Sequence, residues 1–481
     1  MGNIRKAVVI GAGITGLACA FRLRQLGMRA LILEASTKPG GVISSVRRNG
    51  FVFEAGPQCP RFPKSVWTLI RELGLEDEFI AGDSRAKRYI LRNGKLHRAP
   101  FSAGGLLTTS LVGLKSKYSV LSEVFRISGP PAHEESLAQF VDRKFGVEVL
   151  DYLVDPFIST IFFGDPHKMG MLSAFPALVE WEQSRGSVVR GAIRAYRTKR
   201  VANKKSLVEG SLTNDPNMKH GDLHVTDALP SLGSFKDGMG TLVERLAEKL
   251  REDLRLGVNV KSIRAGNRGD EGKPAWRIRL SNGDEINADV VVVATPAYGA
   301  APLLIESMPK LSSLLAGIEH APMDVVASAF DRKQVRHPLD GFGFMVPRQE
   351  GLRTICTFWN SSLFPSHARN GTAVMTSFAA RGGEGNLNET PNDLLARQVE
   401  AENAAVLGIT GAPIDRMTWK YPRALPQYNV GHAQRMKEIR EAVTESPGLF
   451  LAGNYIAGRS IGDCIETGFQ AVDLLHSRSR S

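Results

Sequence analysis

Short apolar runs alternate with amphipathic ones through the first 80 residues. AVVI (Ala7 to Ile10) is continuous enough for a strand buried on both faces. Ile14, Leu17, Ala18 and Phe21 then recur at i, i+3, i+4 and i+7, which predicts a helix with one apolar face. Gly27 sits where a C-cap belongs, and ALILEA (Ala30 to Ala35) reads as a second strand. FVFEAGP predicts a further strand ending at Gly56-Pro57. Pro63 to Leu73 predicts a helix with Val66, Leu69, Ile70 and Leu73 on one face and Gly74 as its stop.

The middle of the chain changes character. Tyr89 to Pro100 reads as a hairpin turning at Asn93-Gly94. Ser136 to Gly146 has the pattern of a capped amphipathic helix. Val149 to Pro166 is apolar and aromatic, and Val201 to Ser234 reads as a long polar loop or insertion. Phe235 to Leu250 predicts a helix entered through glycines, VNVKSI a strand, and WRIRLSNGDEINADVVVVATP a hairpin followed by a buried strand, Val290 to Thr295. DVVASAF, GFGFMVP and RTICTFW are strand candidates for an antiparallel sheet in a substrate domain. Leu449 to Leu475 reads as strand, glycine-rich loop and helix, with Asp463 as N-cap and Glu466 completing a capping box. A nucleotide-binding domain interrupted by a second, sheet-based domain follows from this order.

The turn between the first strand and helix is GAGITG, Gly11 to Gly16. Gly11 permits the tight turn, Gly13 a close approach to a pyrophosphate, and Gly16 the packing of helix on strand. The helix N-terminus offers free N–H groups to phosphate, and Glu34, at about the 20-residue spacing of the fingerprint, offers a carboxylate to a ribose hydroxyl. A bound dinucleotide is the expectation.

Composition narrows the class. The 481 residues suffice for two or three domains with sizeable cores. The four cysteines are scattered, which argues against a zinc site or disulfide framework and fits a reducing compartment. The first strand begins at Ala7, leaving no room for a signal peptide, and Val290 to Ile305 is too short and too punctuated by proline and glycine to span a bilayer. A cytoplasmic protein, or one peripheral on the inner face of a membrane, is expected. The net charge of +12 is spread along the chain without a nucleic-acid motif, so an anionic surface or an anionic small molecule accounts for it as well as nucleic acid does. The ten histidines form no pair spaced as ligands, and no metal site is expected.

GAGITG with Glu34, the KPGG turn, FEAGPQ, KRYILRNGKLHRAP, SFKDGMGTLVERLAEKL, GFGFMVP, TFWNSSLFP and LAGNYIAGRSIGDCIETG occur in one order over nearly the whole chain. Together they resemble the flavin-dependent amine oxidase and protoporphyrinogen oxidase superfamily. The resemblance implies an α/β fold of three parts: a discontinuous Rossmann-like FAD-binding domain (1–86, 232–300 and 430–481), a mixed-sheet substrate domain (87–110 and 301–429), and a helical domain (111–231) offered for membrane contact. It implies non-covalent FAD held by Gly11, Ala12, Gly13, Ile14, Thr15, Gly16, Glu34, Ala35, Gly41, Val42, Gly56, Pro57, Gln58, Cys59, Val260, Ile461, Gly462 and Asp463.

The activity implied is the six-electron oxidation of protoporphyrinogen to protoporphyrin, with oxygen as acceptor and hydrogen peroxide as by-product. The flavin would carry the chemistry, so no catalytic side chain is named. Arg88 matches the arginine that binds a substrate propionate, with Lys87 and Arg92 as weaker alternatives. Trp359, Phe344 and Met345, with Phe342 beside them, match the walls around a flat macrocycle. The basic residues Lys115, Lys117 and Arg126 with the apolar run Val149 to Phe163 would form a membrane-docking face, and that run reads equally as core. Beyond porphyrinogen and oxygen, a peripheral membrane contact and a homodimer are the expected partners, and nucleic acid is not.

Val42 stands where amine oxidases often carry arginine, which counts against an amine substrate. Asn454 replaces an acidic residue common in related flavoproteins. The competing readings are a coproporphyrinogen oxidase, an amine oxidase or carotenoid desaturase, and a flavin-free lipid-binding escort.

Overall fold

The computed structural model describes residues 6–126, 133–195, 232–266, 275–380, 391–456 and 460–478, with a few isolated positions between them. The expected polar insertion falls, at residues 201–231, outside the described residues. Its last two residues belong to a strand, Gly233–Phe235, that pairs with Phe79–Ala81.

Ala7–Ile10 is central in a five-stranded parallel sheet, ordered Leu449–Leu451, Val290–Val293, Ala7–Ile10, Ala30–Leu33, Leu254–Arg255. Strands from the beginning, middle and end of the chain therefore lie side by side. Side-chain alternation divides the strand between two cores. Ala7 and Val9 face the helices Ile14–Gln25, Lys64–Glu72, Gly240–Lys249 and Ile461–Arg478. Val8 and Ile10 face a three-stranded antiparallel sheet (Val260–Ala265, Trp276–Leu280, Glu285–Ala288) and three more helices. A strand covered on both faces has no solvated side, which is why its sequence is apolar at every position.

Two of those helices, Ala297–Leu304 and Pro309–Ala316, bury Leu303, Leu304, Leu311 and Leu315 in the nucleotide-side core. Residues 301–318, grouped above with the substrate sheet, thus pack with the parallel sheet. The second sheet takes over at His320.

That second sheet has seven strands, ordered Asp415–Pro426, His320–Asp331, Thr372–Ala379, Thr354–Phe358, Gly341–Met345, Lys87–Arg92, Lys95–Arg98. It is mixed, because Gly341–Met345 runs parallel to Lys87–Arg92, whereas its other pairings are antiparallel. The crossover arises because the hairpin 87–98 comes from the N-terminal part of the chain and joins the edge of a sheet built from residues 320–426. The turn at Asn93-Gly94 has positive φ at both residues (51° and 70°), as a tight two-residue hairpin turn requires.

A helical segment packs beside this sheet. The predicted cap at Ser136 is present: Ser136 Oγ accepts from Gln139 N and Gln139 Oε1 accepts from Ser136 N. Much of the run Val149 to Phe163 is core, with Leu150, Ile158 and Phe162 buried, and Phe157 and Ile161 are its most exposed residues. The segment is organised around buried charge. Lys144 Nζ lies 3.4 Å from Glu123 Oε1 and 2.7 Å from Glu182 Oε1, with all three side chains at most 4% exposed. Glu123 also accepts from Ser187 Oγ and from the N–H groups of Val188 and Val189. Each carboxylate thus has several donors, which is the condition for burying it.

Glu54 ties the two parts of the nucleotide side together. It ends the strand Phe51–Glu54, fully buried, and accepts from Ser45 Oγ and from Met239 N at 2.7 Å each, at the entry to the helix Gly240–Lys249. Burial pushes this carboxyl up to about 7.

Two stability outcomes follow from these groups. Lys144→Ala leaves the buried Glu123 without its cation, whereas Arg143 still holds Glu182, and a loss of about 3–5 kcal/mol in denaturant unfolding is expected. For Glu54 the folded pKa lies above the unfolded value of 4.5, so its contribution is complete below about 4.5 and is lost as pH rises through about 7. Stability should fall over that window by up to about 1.4 kcal/mol per pH unit, and Glu54→Gln should flatten the profile. A wild-type profile that rises from pH 5 to pH 8 with no change in the variant would contradict the assignment.

Candidate active site

The glycine loop is built by close backbone approach. Gly11 has φ +104° and its N–H donates to Leu33 O at 2.8 Å. A Cβ on Gly16 would lie 1.9 Å from the Gly11 carbonyl oxygen, so the first helix turn can rest on the loop only with glycine there. Gly13 is different. It has φ −68°, is the N-cap of the helix Ile14–Gln25, and a Cβ on it would meet nothing within 4 Å. Nothing in the protein demands glycine at that position. A phosphate group lying against the backbone does, and no side chain caps the helix N-terminus, which leaves its N–H groups for an anion.

Glu34 follows the second strand with its carboxylate folded onto the loop: Oε2 accepts from Ala12 N at 2.6 Å and Oε1 from Ser36 N at 2.9 Å. It therefore fixes the loop, and its remaining lone pairs are what a ribose diol could use. Val258 N donates to Glu34 O at 2.8 Å, which brings the start of the three-stranded sheet, and Val260 within it, beside Glu34 and Ala35. The KPGG turn closes on the same loop, since Gly40 N donates to Ala12 O at 2.8 Å and Gly41 has φ +61°. Val42 follows with its side chain 45% exposed, and its carbonyl is where a Cβ on Gly56 would stand, at 2.2 Å.

After Pro57, Gln58 is spoken for. Its Nε2 donates to Gly56 O at 2.7 Å and its Oε1 accepts from Asn360 Nδ2 at 2.7 Å, linking the cradle to the second sheet. Cys59 lies beside Arg88, and burial pushes its thiol up to about 12.

The C-terminal helix differs from the sequence expectation. It begins at Ile461, so Asp463 is inside its first turn. Ser460 precedes the helix and forms the reciprocal pair with Asp463: Asp463 N donates to Ser460 Oγ and Ser460 N to Asp463 Oδ2, both at 3.0 Å. Glu466 instead accepts from Ser65 Oγ at 2.6 Å. The box is thus shifted by one turn, with the Ser460 hydroxyl at the N-cap and the Asp463 carboxylate returning to it from N3. Gly462 packs on Pro63, and Gly468 lets this helix cross the first, where a Cβ would be 2.9 Å from Thr15 O. Cys464 is turned into this crossing, and burial pushes its thiol up to about 12.

Thr295 and Tyr455 were not expected from the sequence. Thr295 follows the strand Val290–Val293 beside Gly11, and Tyr455 lies in the loop after Leu449–Leu451. Thr295 Oγ1 and the Tyr455 hydroxyl are buried with no hydrogen-bond partner. Buried orphan hydroxyls at the carboxyl ends of parallel strands, where such sheets bind ligands, fit a polar group that the protein does not itself supply. The open space at Gly13, the uncapped helix and these hydroxyls fit a flavin dinucleotide. Among the described residues no group of three His, Cys, Asp or Glu is placed to hold a metal ion.

At the other end of the site the second sheet presents an aromatic file. Phe163 and Phe378 have ring centroids 5.4 Å apart, Phe378 and Phe358 5.6 Å, and Phe358 and Phe342 5.6 Å. The Arg88 guanidinium stacks over Phe342 at 4.5 Å, with Phe101 beyond it at 5.5 Å. Met345, Ile90 and Cys356 belong to the same apolar face. Phe342 joins it because the pairing of Gly341–Met345 with Lys87–Arg92 slips between Gly341 and Gly343.

Trp359 and Phe344 are corrected by the structure. Trp359 is fully buried and Phe344 2% exposed, in a separate core with Tyr89, Leu91, Leu407 and Ile409. Both therefore pack on a different face from the aromatic file. Phe358 and Phe378, with Phe163, lie instead on the face shared with Met345; the alternation in TICTF and VMTSF was the available signal.

The cations sort themselves by partner. Lys87 pairs with Asp340 at 2.5 Å, and Arg92 with Glu148 at 3.2 Å. Arg88 makes no ion pair among the described residues, and its guanidinium donates a long hydrogen bond to Ser84 O at 3.4 Å. Burial, and after it repulsion from Arg61, holds its guanidinium below the usual value, as expected of a cation awaiting an anion. His97 Nδ1 bonds Ser110 Oγ at 2.7 Å and His320 Nδ1 bonds Ile318 O at 3.0 Å, so both rings have structural partners.

Known proteins place this geometry. The flavin containing amine oxidoreductase family matches residues 14–476. Mitochondrial protoporphyrinogen oxidase of Nicotiana tabacum is 31% identical over 99% of this chain and 95% of its own length. Coproporphyrinogen III oxidase of Bacillus subtilis is 28% identical over 97% of both. A crystal structure from Exiguobacterium sp. 255-15 superposes with a TM-score of 0.77 at 23% identity over 99% of this chain and 100% of that one, and so shares the fold. By the span of the family match and the full-length likeness, this chain is a member of the flavin containing amine oxidoreductases, on the protoporphyrinogen oxidase side of that family.

Proposed function

We propose that the protein oxidises a porphyrinogen to the porphyrin, protoporphyrinogen by likeness to the tobacco enzyme, with coproporphyrinogen, the substrate in the Bacillus subtilis enzyme's name, as the second reading. The observation that carries the proposal is the aromatic file ending on an unpaired arginine. Such a strip suits a broad apolar macrocycle with a carboxylate at its edge.

A bound flavin supplies the acceptor for hydride from the carbon bridges of the macrocycle. Arg88 would orient the ring through its carboxylate, and Met345, Phe358 and Phe378 would exclude water from its faces. No described histidine or carboxylate stands in the aromatic file, so proton loss from the pyrrole nitrogens is assigned to no side chain. Six hydrogens leave as three hydride and proton pairs, and three molecules of oxygen balance them as hydrogen peroxide. Oxygen as the acceptor is part of the proposal.

Peripheral membrane contact is proposed on a different surface from the one read in the sequence. Leu114, Tyr118, Leu121 and Phe125, at intervals of three or four residues, point outward from the helix Leu114–Ser122 and the turn after it, with Leu114 and Phe125 more than 80% exposed. The inward side is polar: Ser116 donates to Glu148, and Glu123 is buried in the charge cluster. Lys115 borders the stripe, whereas Arg126 is spent on the carbonyls of Ser119 and Lys144. An apolar face turned outward beside a lysine suits an anionic lipid surface. No described helix is long and apolar enough to cross a membrane.

Purified, flavin-loaded protein should generate porphyrin fluorescence in air above the spontaneous rate. Arg88→Ala should raise KM about 10- to 100-fold, as expected for the loss of a charge-assisted bond of about 1.5–3 kcal/mol, with the flavin absorbance retained. An unchanged KM would remove Arg88 from substrate binding. The doubly substituted Leu114→Glu, Phe125→Glu protein should co-sediment with anionic lipid vesicles about tenfold less than the wild type, and equal sedimentation would exclude this surface.

A further inference from the structure

One residue of the aromatic file holds a backbone conformation that its side chain disfavours. Phe163 ends the helix Asp155–Phe162 with φ +50° and ψ +23°, in the left-handed region where a bulky residue is rare and costs free energy. Three other described non-glycine residues have positive φ, and each has a local reason. Asn49 and Asn93 precede glycine in tight hairpin turns, where asparagine is favoured. Leu339 is buried in a core. Phe163 is only half-buried, so core packing does not account for its ring.

The turn is fixed from both sides. Gln427 Nε2 donates to Phe162 O at 3.1 Å, and Arg348 Nη2 donates to Gly164 O at 2.7 Å. Arg348 is in turn held by the buried Asp155, whose Oδ1 accepts from its Nε at 2.8 Å. A Cβ on Gly164 would stand 2.6 Å from Gln427 Oε1, so the neighbouring glycine is spent on close packing. Surroundings that determine a backbone this fully can hold a disfavoured residue, and such residues cluster at ligand sites. Glycine or asparagine would fit position 163 with less strain, and what phenylalanine adds there is a ring.

That ring divides two environments. On one side it meets Phe378, 5.4 Å away, at the end of the file opposite Arg88. On the other it lines a 550 Å³ cleft with the charged residues Asp165, Lys168, Glu319 and Arg348. We infer that Phe163 is the end stop of the substrate file: with a carboxylate anchored on Arg88, its ring sets how far the macrocycle reaches and shuts the reacting carbons off from the charged cleft. The inference rests on the porphyrinogen reading and adds to it the residue that fixes the register of the ring. An anchor at one end alone leaves a flat macrocycle free to slide along an apolar strip, and a stop at the other end removes that freedom. Without the ring, file and cleft become one space and water reaches the macrocycle.

The test compares the flavin-loaded wild type, Phe163→Gly and Phe163→Leu with protoporphyrinogen as substrate. Leucine keeps an apolar wall, and Leu339 is already held at φ +54° in this chain. Phe163→Gly should lower kcat about tenfold or more while KM changes less than about threefold, the pattern of a substrate bound at Arg88 but out of register. Independently of turnover, acrylamide quenching of the bound product porphyrin should rise about threefold or more as water gains access. The unfolding midpoint should stay within about 5 °C of wild type, because relief of the left-handed conformation offsets the lost ring contact. Phe163→Leu should return kcat to within about threefold of wild type, since the wall is restored. A glycine variant with wild-type kcat and quenching, or a leucine variant as slow as the glycine one, would overturn the end stop while leaving porphyrinogen oxidation standing. So would a midpoint lowered by more than about 5 °C, which would make the ring a core residue. Failure of the wild type to oxidise the porphyrinogen would overturn the proposed function and this inference with it.

Discussion

The site depends on backbone meeting backbone where no side chain can intervene. The first helix rests on the Gly11 carbonyl through Gly16, and the C-terminal helix crosses the first at Thr15 through Gly468. The second contact joins segments that are about 450 residues apart in the chain, as the Cys19 thiol bond to Gly468 O also does. A methyl group at either position would push the helices apart by more than packing tolerates. The cradle for the dinucleotide exists only because the two ends of the chain come this close.

The second sheet is attached to that cradle by a few polar and aromatic links. Gln58 reaches from the FEAGPQ segment to Asn360, and Phe51 and Phe53 pack on Ala327, Ala329 and Val374. The cofactor segment and the substrate face are thereby held in one register. Arg88 belongs to both: its strand is part of the second sheet, while Cys59 of the cradle is among its neighbours. A carboxylate held there would place its ring along the aromatic file, at the junction of the two sheets.

Charge is used in two opposite ways. In the helical segment Lys144, Glu123 and Glu182 are buried and fully matched, which specifies how the helices pack. At the sheet edge the arginines are exposed or half-buried and unmatched. The first arrangement is closed to ligands, and the second is open to an anion. The net charge of +12 does not distinguish them, because it counts side chains without their partners.

Local patterns determined much of this protein. GAGITG, the buried strands, the Asn93-Gly94 hairpin and the Ser136 cap are legible because turn geometry, capping and the period of apolar residues act over a few positions. The parallel pairing at Lys87–Arg92, the packing of residues 301–318 on the nucleotide side, and the choice of Ser460 over Asp463 as cap were decided by tertiary structure. So was the placing of Trp359 and Phe344 on one face and of Phe358 and Phe378 on the other. A large apolar residue satisfies a core and a ligand wall equally well, and only the face of the strand decides between them. Partnering is likewise a property of space: Lys87, Arg88 and Arg92 are near neighbours in sequence, yet two find carboxylates that lie 56 and 253 positions away and one does not.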